Sequence, residues 1–179
     1  MSESPVSIPD PHAARPGLGE FSRVVVGVDG SESSISALRK AASIAEAFDA
    51  QLDVVCVWTY PISRYTMVPP EWYPDRDAAR TVHDVADAVF GETKPERVHL
   101  SIAEGSAARV LIDESDTADL IVTGSRGHGG FAGLLLGSVS AEIAAHAHCP
   151  VLIVHPHAEP HAEAARDRVA AKQSEGASR

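Results

Sequence analysis

The sequence is poor in lysine, cysteine and basic charge, and each shortage excludes a class of protein. Its 25 acidic residues outnumber its 15 basic ones, which gives a formal net charge of −10. A chain this acidic does not bind nucleic acid or anionic lipid heads by neutralising phosphates. With only Cys56 and Cys149 present, a disulfide framework is not indicated. We expect buried thiols in a reducing cytoplasm.

Long hydrophobic runs are also absent. No apolar stretch reaches the roughly 18 residues that a membrane span requires, and the first residues carry four prolines instead of an apolar signal core. We expect a flexible leader over 1–21, one domain over 22–156 and a helical or disordered tail over 157–179.

Apolar periodicity divides the domain into alternating strands and helices. The β-branched run Val24–Val28 predicts a strand buried on both faces. Ser31 is a candidate N-cap for a helix whose apolar residues recur at three- and four-residue spacing as far as Phe48. Further strands are predicted at 52–58, 98–103, 120–123 and 151–154, and further helices at 78–89, 105–115 and 138–147. The proline-rich stretch 59–75 predicts irregular structure.

Five strands alternating with four helices predict an α/β fold with a single doubly wound, mostly parallel sheet. Right-handed crossovers place helices on both faces of such a sheet. Ligands bind at the carboxyl ends of its strands.

The strongest signal is a glycine cluster after the fourth strand. Six of the 13 glycines lie between Thr123 and Ser138. Glycine lets backbone N–H groups turn toward an anion, and Ser138 adds a hydroxyl where the next helix begins. A tight turn that packs helix against strand is the alternative, but the location of the cluster favours a phosphate site.

The spacing Gly124-x2-Gly127-x9-Gly137-Ser138 resembles the nucleotide-binding signature of ATP-binding universal stress proteins. The resemblance runs from about residue 23 to 155. It includes Val-Gly-Val-Asp-Gly-Ser, Ala-Asp-Leu-Ile-Val-Thr-Gly, Leu-Gly-Ser-Val-Ser and Cys-Pro-Val-Leu-Ile-Val-His. It implies the adenine nucleotide alpha hydrolase-like fold, with strand order 3-2-1-4-5.

The resemblance also implies a set of ligand-binding residues. ATP phosphates and ribose would be held by Gly124, Gly127, Gly137, Ser138, Val139 and Ser140. Thr123 would line the same site, Asp29 would approach the nucleoside end, and the Val57 backbone would meet the adenine. Each of three assignments has an alternative: a turn carboxylate for Asp29, core packing for Val57 and a simple N-cap for Ser138.

Other nucleotide and metal motifs fit poorly. A dinucleotide fingerprint at 127–132 follows the wrong strand, and none of the three lysines suits a P-loop. We therefore expect slow ATP hydrolysis at most, with Mg²⁺ as the companion ion of the triphosphate. Histidines 146, 148, 155, 157 and 161 lack the spacing of a transition-metal site.

The apolar last strand, 150–155, is predicted to lie at the sheet edge and to join a homodimer, unless the tail covers it. The leading function is a cytoplasmic, ATP-dependent regulator of the stress response with an unidentified protein partner. Two alternatives remain: a binder of AMP or cyclic AMP in the same pocket, and a dimeric scaffold without nucleotide.

Overall fold

The computed structural model describes residues 21–60, 73–91, 93–127 and 135–156. The predictions made for the leader, the tail and most of the proline-rich segment lie outside these residues. So do those for 128–134 of the glycine loop, for His157 and for His161.

The elements alternate along the described chain as the periodicity predicts. Their bounds are β1 (Arg23–Val28), α1 (Glu32–Phe48), β2 (Gln51–Trp58), α2 (Pro74–Phe90), β3 (Val98–Glu104), α3 (Ala107–Glu114), β4 (Leu120–Gly124), α4 (Ser138–His146) and β5 (Val151–Val154). The strands form one five-stranded parallel sheet in the order β3-β2-β1-β4-β5. The predicted fold class and strand order are confirmed.

The sheet separates two hydrophobic layers. One packs α1 and α2 against the sheet, with Val26, Leu38, Leu52 and Val122 at its centre. The other packs α3 and α4 against the opposite face, around Ile121 and Ile143. Burial of β1 and β4 on both faces explains why these strands read as continuous apolar runs.

One helix begins earlier than predicted, and one strand is more exposed than its alternation predicts. Helix α2 begins at Pro74, inside the stretch expected to be irregular, because a proline at the first helical position loses no hydrogen bond. Strand β3 lies at the sheet edge. Its apolar face is buried at Val98 but 39% exposed at Ile102, so the alternation of buried and exposed residues fades toward its carboxyl end.

Arg23 connects three elements at the amino ends of the strands. Its Nε donates to Asp53 (2.7 Å), its Nη2 to Glu114 (2.6 Å) and its Nη1 to the Thr117 hydroxyl (2.7 Å). Arg23 thus links β1, β2 and the end of α3 at the amino ends of the strands. Parallel sheets bind ligands at the opposite, carboxyl ends.

Within the described ranges, no helix is both long enough and apolar enough to cross a membrane.

Candidate functional site

A pocket of about 430 Å³ opens where β1, β2 and β4 end. Its volume falls within the roughly 300–1,000 Å³ typical of small-molecule sites. In the sheet, β2 and β3 lie on one side of β1, and β4 and β5 lie on the other side of it. This reversal of strand order is the position at which doubly wound sheets bind ligands.

All nine residues singled out in the sequence line this one pocket. They are Asp29, Val57, Thr123, Gly124, Gly127, Gly137, Ser138, Val139 and Ser140. Segments more than a hundred positions apart in the chain therefore meet around a single cavity.

Seven further lining residues were not among the predicted site residues. They are Gly27, Val28, Ser34, Val55, Ala107, Leu111 and Arg126. For two of these residues, the periodicity of the sequence could have indicated their position in the pocket wall. Val55 lies two residues before Val57 on the same strand face, and Leu111 lies one helical turn after Ala107.

The amino terminus of α4 faces the pocket without a side-chain cap in the part of the chain that the structure describes. Gly137 is the N-cap and Ser138 the first helical residue, so Ser138 is not the simple N-cap considered above. The first helical hydrogen bond runs from the Ala141 N–H to the Gly137 carbonyl (3.0 Å). The N–H groups of the first turn therefore have no acceptor within the helix, and the helix dipole makes this end attractive to anions.

The ends of the glycine loop are held together by Ser125. Its carbonyl accepts from the Gly137 N–H (2.8 Å), and its N–H donates to the Val154 carbonyl (2.7 Å). The Ser140 hydroxyl, 2% exposed, lies 3.1 Å from the same Ser125 carbonyl. Because this hydroxyl donates to backbone carbonyls, we expect Ser140 to present its N–H to the pocket.

Asp29 has both a turn role and a place in the pocket. Its Oδ1 accepts from the N–H (3.0 Å) and the hydroxyl (2.6 Å) of Ser31, as the turn alternative predicts. Its Oδ2 lies so close to Gly127 that a Cβ added there would stand 2.4 Å away. A side chain larger than that of glycine would therefore force the Asp29 carboxylate to shift.

Val57 brings a backbone acceptor to the same cavity. The Trp58 carbonyl accepts from the Gly105 N–H on the β3 side (2.8 Å), and successive peptide groups of a strand alternate sides. The Val57 carbonyl therefore faces the β1 side. The pairing of β1 with β2 ends at Val28 opposite Cys56, so this carbonyl lies beyond the paired part of β1.

Cys56 pairs with Val28, the residue before Asp29, and its thiol is unreactive near neutral pH. Burial and, to a lesser degree, the negative charge of Asp29 raise the pKa of its thiol to about 11. A thiol that stays protonated near pH 7 is a poor nucleophile and a poor metal ligand. Across the described residues, no three His, Cys, Asp or Glu side chains form a group that could hold a metal ion.

Comparison with known proteins identifies the family. The pattern of the Universal stress protein family matches residues 20–155. The chain belongs to the universal stress protein family. A universal stress protein of Mycolicibacterium smegmatis is 34% identical over 134 residues, which are 74% of this chain and 45% of that protein. One from Methanocaldococcus jannaschii is 32% identical over 147 residues, 78% of this chain and 85% of that protein.

The chain therefore spans about half the length of its mycobacterial relative but most of the archaeal universal stress protein. Among solved structures, a universal stress protein in complex with cAMP is 29% identical, with a TM-score of 0.59. The match covers 78% of this chain and 100% of that one. A universal stress protein from Lactobacillus plantarum, 20% identical with a TM-score of 0.62 over 76% of this chain and 99% of that one, shares the fold.

Proposed function

We propose that this universal stress protein binds an adenine nucleotide, ATP, in the pocket at the carboxyl edge of its sheet, and that occupancy regulates its contacts with a partner protein. The observation that carries the proposal is the amino terminus of α4 on the pocket wall, which no side chain of the described residues caps. Three backbone donors and a helix dipole at a glycine-rich loop are suited to a phosphate group.

The lining residues suggest which part of the nucleotide each would hold. The phosphates and ribose would lie against Gly124, Gly127, Gly137, Ser138, Val139 and Ser140, beside Thr123. Asp29 would accept hydrogen bonds from the ribose hydroxyls. The Val57 carbonyl would accept from the adenine amino group, and apolar walls from Val55, Ala107 and Leu111 would cover the ring faces.

The charged groups favour binding over catalysis. Asp29 and Arg126 are the charged residues of the described pocket lining, and Arg126 is exposed. A single mobile cation stabilises a transferring phosphoryl group poorly. Mg²⁺ would be held largely by phosphates and water, as this ion often is.

A nucleoside monophosphate or cyclic nucleotide is the second candidate ligand. One observation favours it: the 29% identical structure described above is a complex with cAMP. The backbone donors of α4 would serve one phosphate as well as three, so the alternative differs in the ligand and not in the site.

We also propose a cytoplasmic homodimer. Strand β5 lies at the sheet edge, and three of its four apolar residues are only half-buried. An apolar edge of this kind is suited to pairing with a second copy. Both cysteines are free thiols, as expected in a reducing compartment.

Nucleotide release tests the proposed function. The purified protein is denatured and the released small molecules are separated, for the wild type and for a Gly127→Val, Gly137→Val double variant. We expect close to one adenine nucleotide per chain from the wild type and little from the variant. The control is Ser43→Ala, because Ser43 is exposed on α1 and lies outside this pocket.

The identity of the released molecule separates ATP from cAMP and AMP. A wild type that carries no nucleotide, and whose melting temperature does not rise in millimolar ATP, AMP or cAMP, would contradict the proposal, because a ligand specific for the native state stabilises it by mass action. The scaffold alternative would then replace it.

A further inference from the structure

Ser33 connects the first turn of α1 to the glycine loop without lining the pocket itself. Its side chain is buried, at 4% exposure. Its hydroxyl donates to the carbonyl of Arg126, 93 positions further along the chain. Ser33 is therefore outside the site but bonded directly to the segment that carries Gly127.

Close packing fixes where this hydroxyl can point. A Cβ placed on Gly124 would lie 2.6 Å from the Ser33 Oγ and 2.8 Å from its carbonyl carbon. The first turn of α1 thus rests against the end of β4, with glycine as the residue that allows the approach. A side chain held this tightly has little freedom to choose another acceptor.

The neighbouring serines have further partners, and the Ser31 hydroxyl also lies 3.2 Å from that of Ser33. The Ser31 hydroxyl donates to Asp29 at 2.6 Å and lies 3.5 Å from the Arg126 carbonyl. The Ser34 hydroxyl donates to the Ser31 carbonyl at 2.9 Å. Of the three hydroxyls, that of Ser33 lies nearest the Arg126 carbonyl.

One hydrogen bond to this carbonyl orients a whole peptide group. A trans peptide is planar, with its C=O and N–H on opposite edges. When the Arg126 carbonyl accepts from Ser33, the N–H of Gly127 is therefore turned away from α1. Gly127 lines the pocket, so the direction of this amide decides what the loop presents to a ligand.

We infer that Ser33 is a positioning residue: its hydroxyl holds the Arg126–Gly127 peptide in the orientation in which Gly127 can donate to a nucleotide phosphate. The inference rests on the proposed function, since it assigns a role at the same site. Specifically, we infer that Ser33 supports binding of the phosphates and not of the nucleoside.

Ser33→Ala tests this role when ATP and adenosine are compared. Affinities are measured by displacement of a fluorescent ATP analogue, for the wild type, Ser33→Ala and the control Ser43→Ala. Ser43 lies on the same helix, is exposed, and donates only to the Arg39 carbonyl one turn earlier (3.1 Å). We expect Ser33→Ala to weaken ATP about fivefold to tenfold, the size of one hydrogen bond, and to leave adenosine unchanged.

A purely structural role gives a different pattern. Equal losses for ATP and adenosine, or no loss for ATP, would overturn the inference. If Ser33→Ala does not fold, Ser33→Cys replaces it, since a thiol keeps the side chain in place but donates weakly. A wild type that binds no adenine nucleotide would instead overturn the proposed function, so the two failures are distinguishable.

Discussion

Individual glycines decide how closely the segments around the pocket approach one another. Gly27, Gly124 and Gly127 each lie where a Cβ would meet an atom of a different segment at 2.4–2.6 Å. The motif spacing already identified Gly124 and Gly127. Gly27 needed the structure, because its contact with Leu111 depends on how α3 packs on the sheet.

Two of these glycines differ in how easily the atoms opposite them can move, and therefore in the expected cost of replacing them by alanine. In Gly124→Ala the new methyl meets the Ser33 backbone at 2.8 Å, whereas in Gly27→Ala it meets the tip of the Leu111 side chain at 2.5 Å. A side-chain tip can rotate and a helix backbone cannot. We expect losses in unfolding free energy of about 2–3 kcal/mol for Gly124→Ala and about 1 kcal/mol for Gly27→Ala. Urea unfolding measures both, and the reverse order would contradict the packing argument.

The thiol of Cys56 should make stability depend on pH in the alkaline range. Its pKa is raised from 9.0 to about 11 in the folded protein, so between these values the unfolded chain loses a proton that the folded chain keeps. Unfolding free energy contributed by this group is intact below pH 9 and is lost as the pH rises toward 11. We expect urea unfolding from pH 8 to 11 to show a smaller decline for Cys56→Ala than for the wild type. Parallel declines would contradict the assignment.

At the scale of elements, caps and periodicity explain why most helices and strands were predictable. Ser31 caps α1 as expected, and its Oγ accepts from the Ser34 N–H (3.3 Å). The start of α2 was not predictable from composition, because the same proline that breaks a helix interior is tolerated at its first position. Exposure of Ile102 depends on which strands lie at the edge, which local sequence does not encode.

Removal of the α1 cap should weaken the whole domain. Ser31→Ala deletes the acceptor for an N–H of the first turn, and we expect a loss of about 1 kcal/mol in unfolding free energy. Ser31→Asn should restore part of it, since asparagine also caps. Ser43→Ala should be close to neutral, because its mid-helix hydroxyl contributes no cap. An equal loss in Ser31→Ala and Ser43→Ala would exclude a capping role.

At the scale of the whole molecule, the sheet order brings the predicted site residues together. Residue spacing alone identified the glycine loop. The rule that doubly wound sheets bind ligands at the carboxyl ends of their strands then predicted its location. The apolar wall formed by Val55, Ala107 and Leu111 was missed, because ordinary core residues carry no sign in the sequence that they face a cavity.

The half-buried apolar strand β5 at the sheet edge predicts the number of chains in the particle in solution. Light scattering after size-exclusion chromatography should give two chains at tens of micromolar for the wild type and one chain for Ile153→Lys, since a charge on an edge strand opposes pairing. Ser101→Lys, on the exposed face of the opposite edge strand β3, should leave the mass unchanged. A wild type of one-chain mass would contradict dimerisation.

The residues that line the pocket lie between positions 27 and 140. The pocket can therefore form only after most of the domain has been synthesised. A chain still on the ribosome can complete β1, α1 and β2 long before the start of α4 has been synthesised. No ligand that needs the α4 donors can therefore be captured until most of the domain has been translated. Occupancy would then distinguish a chain that includes the start of α4 from one truncated before it.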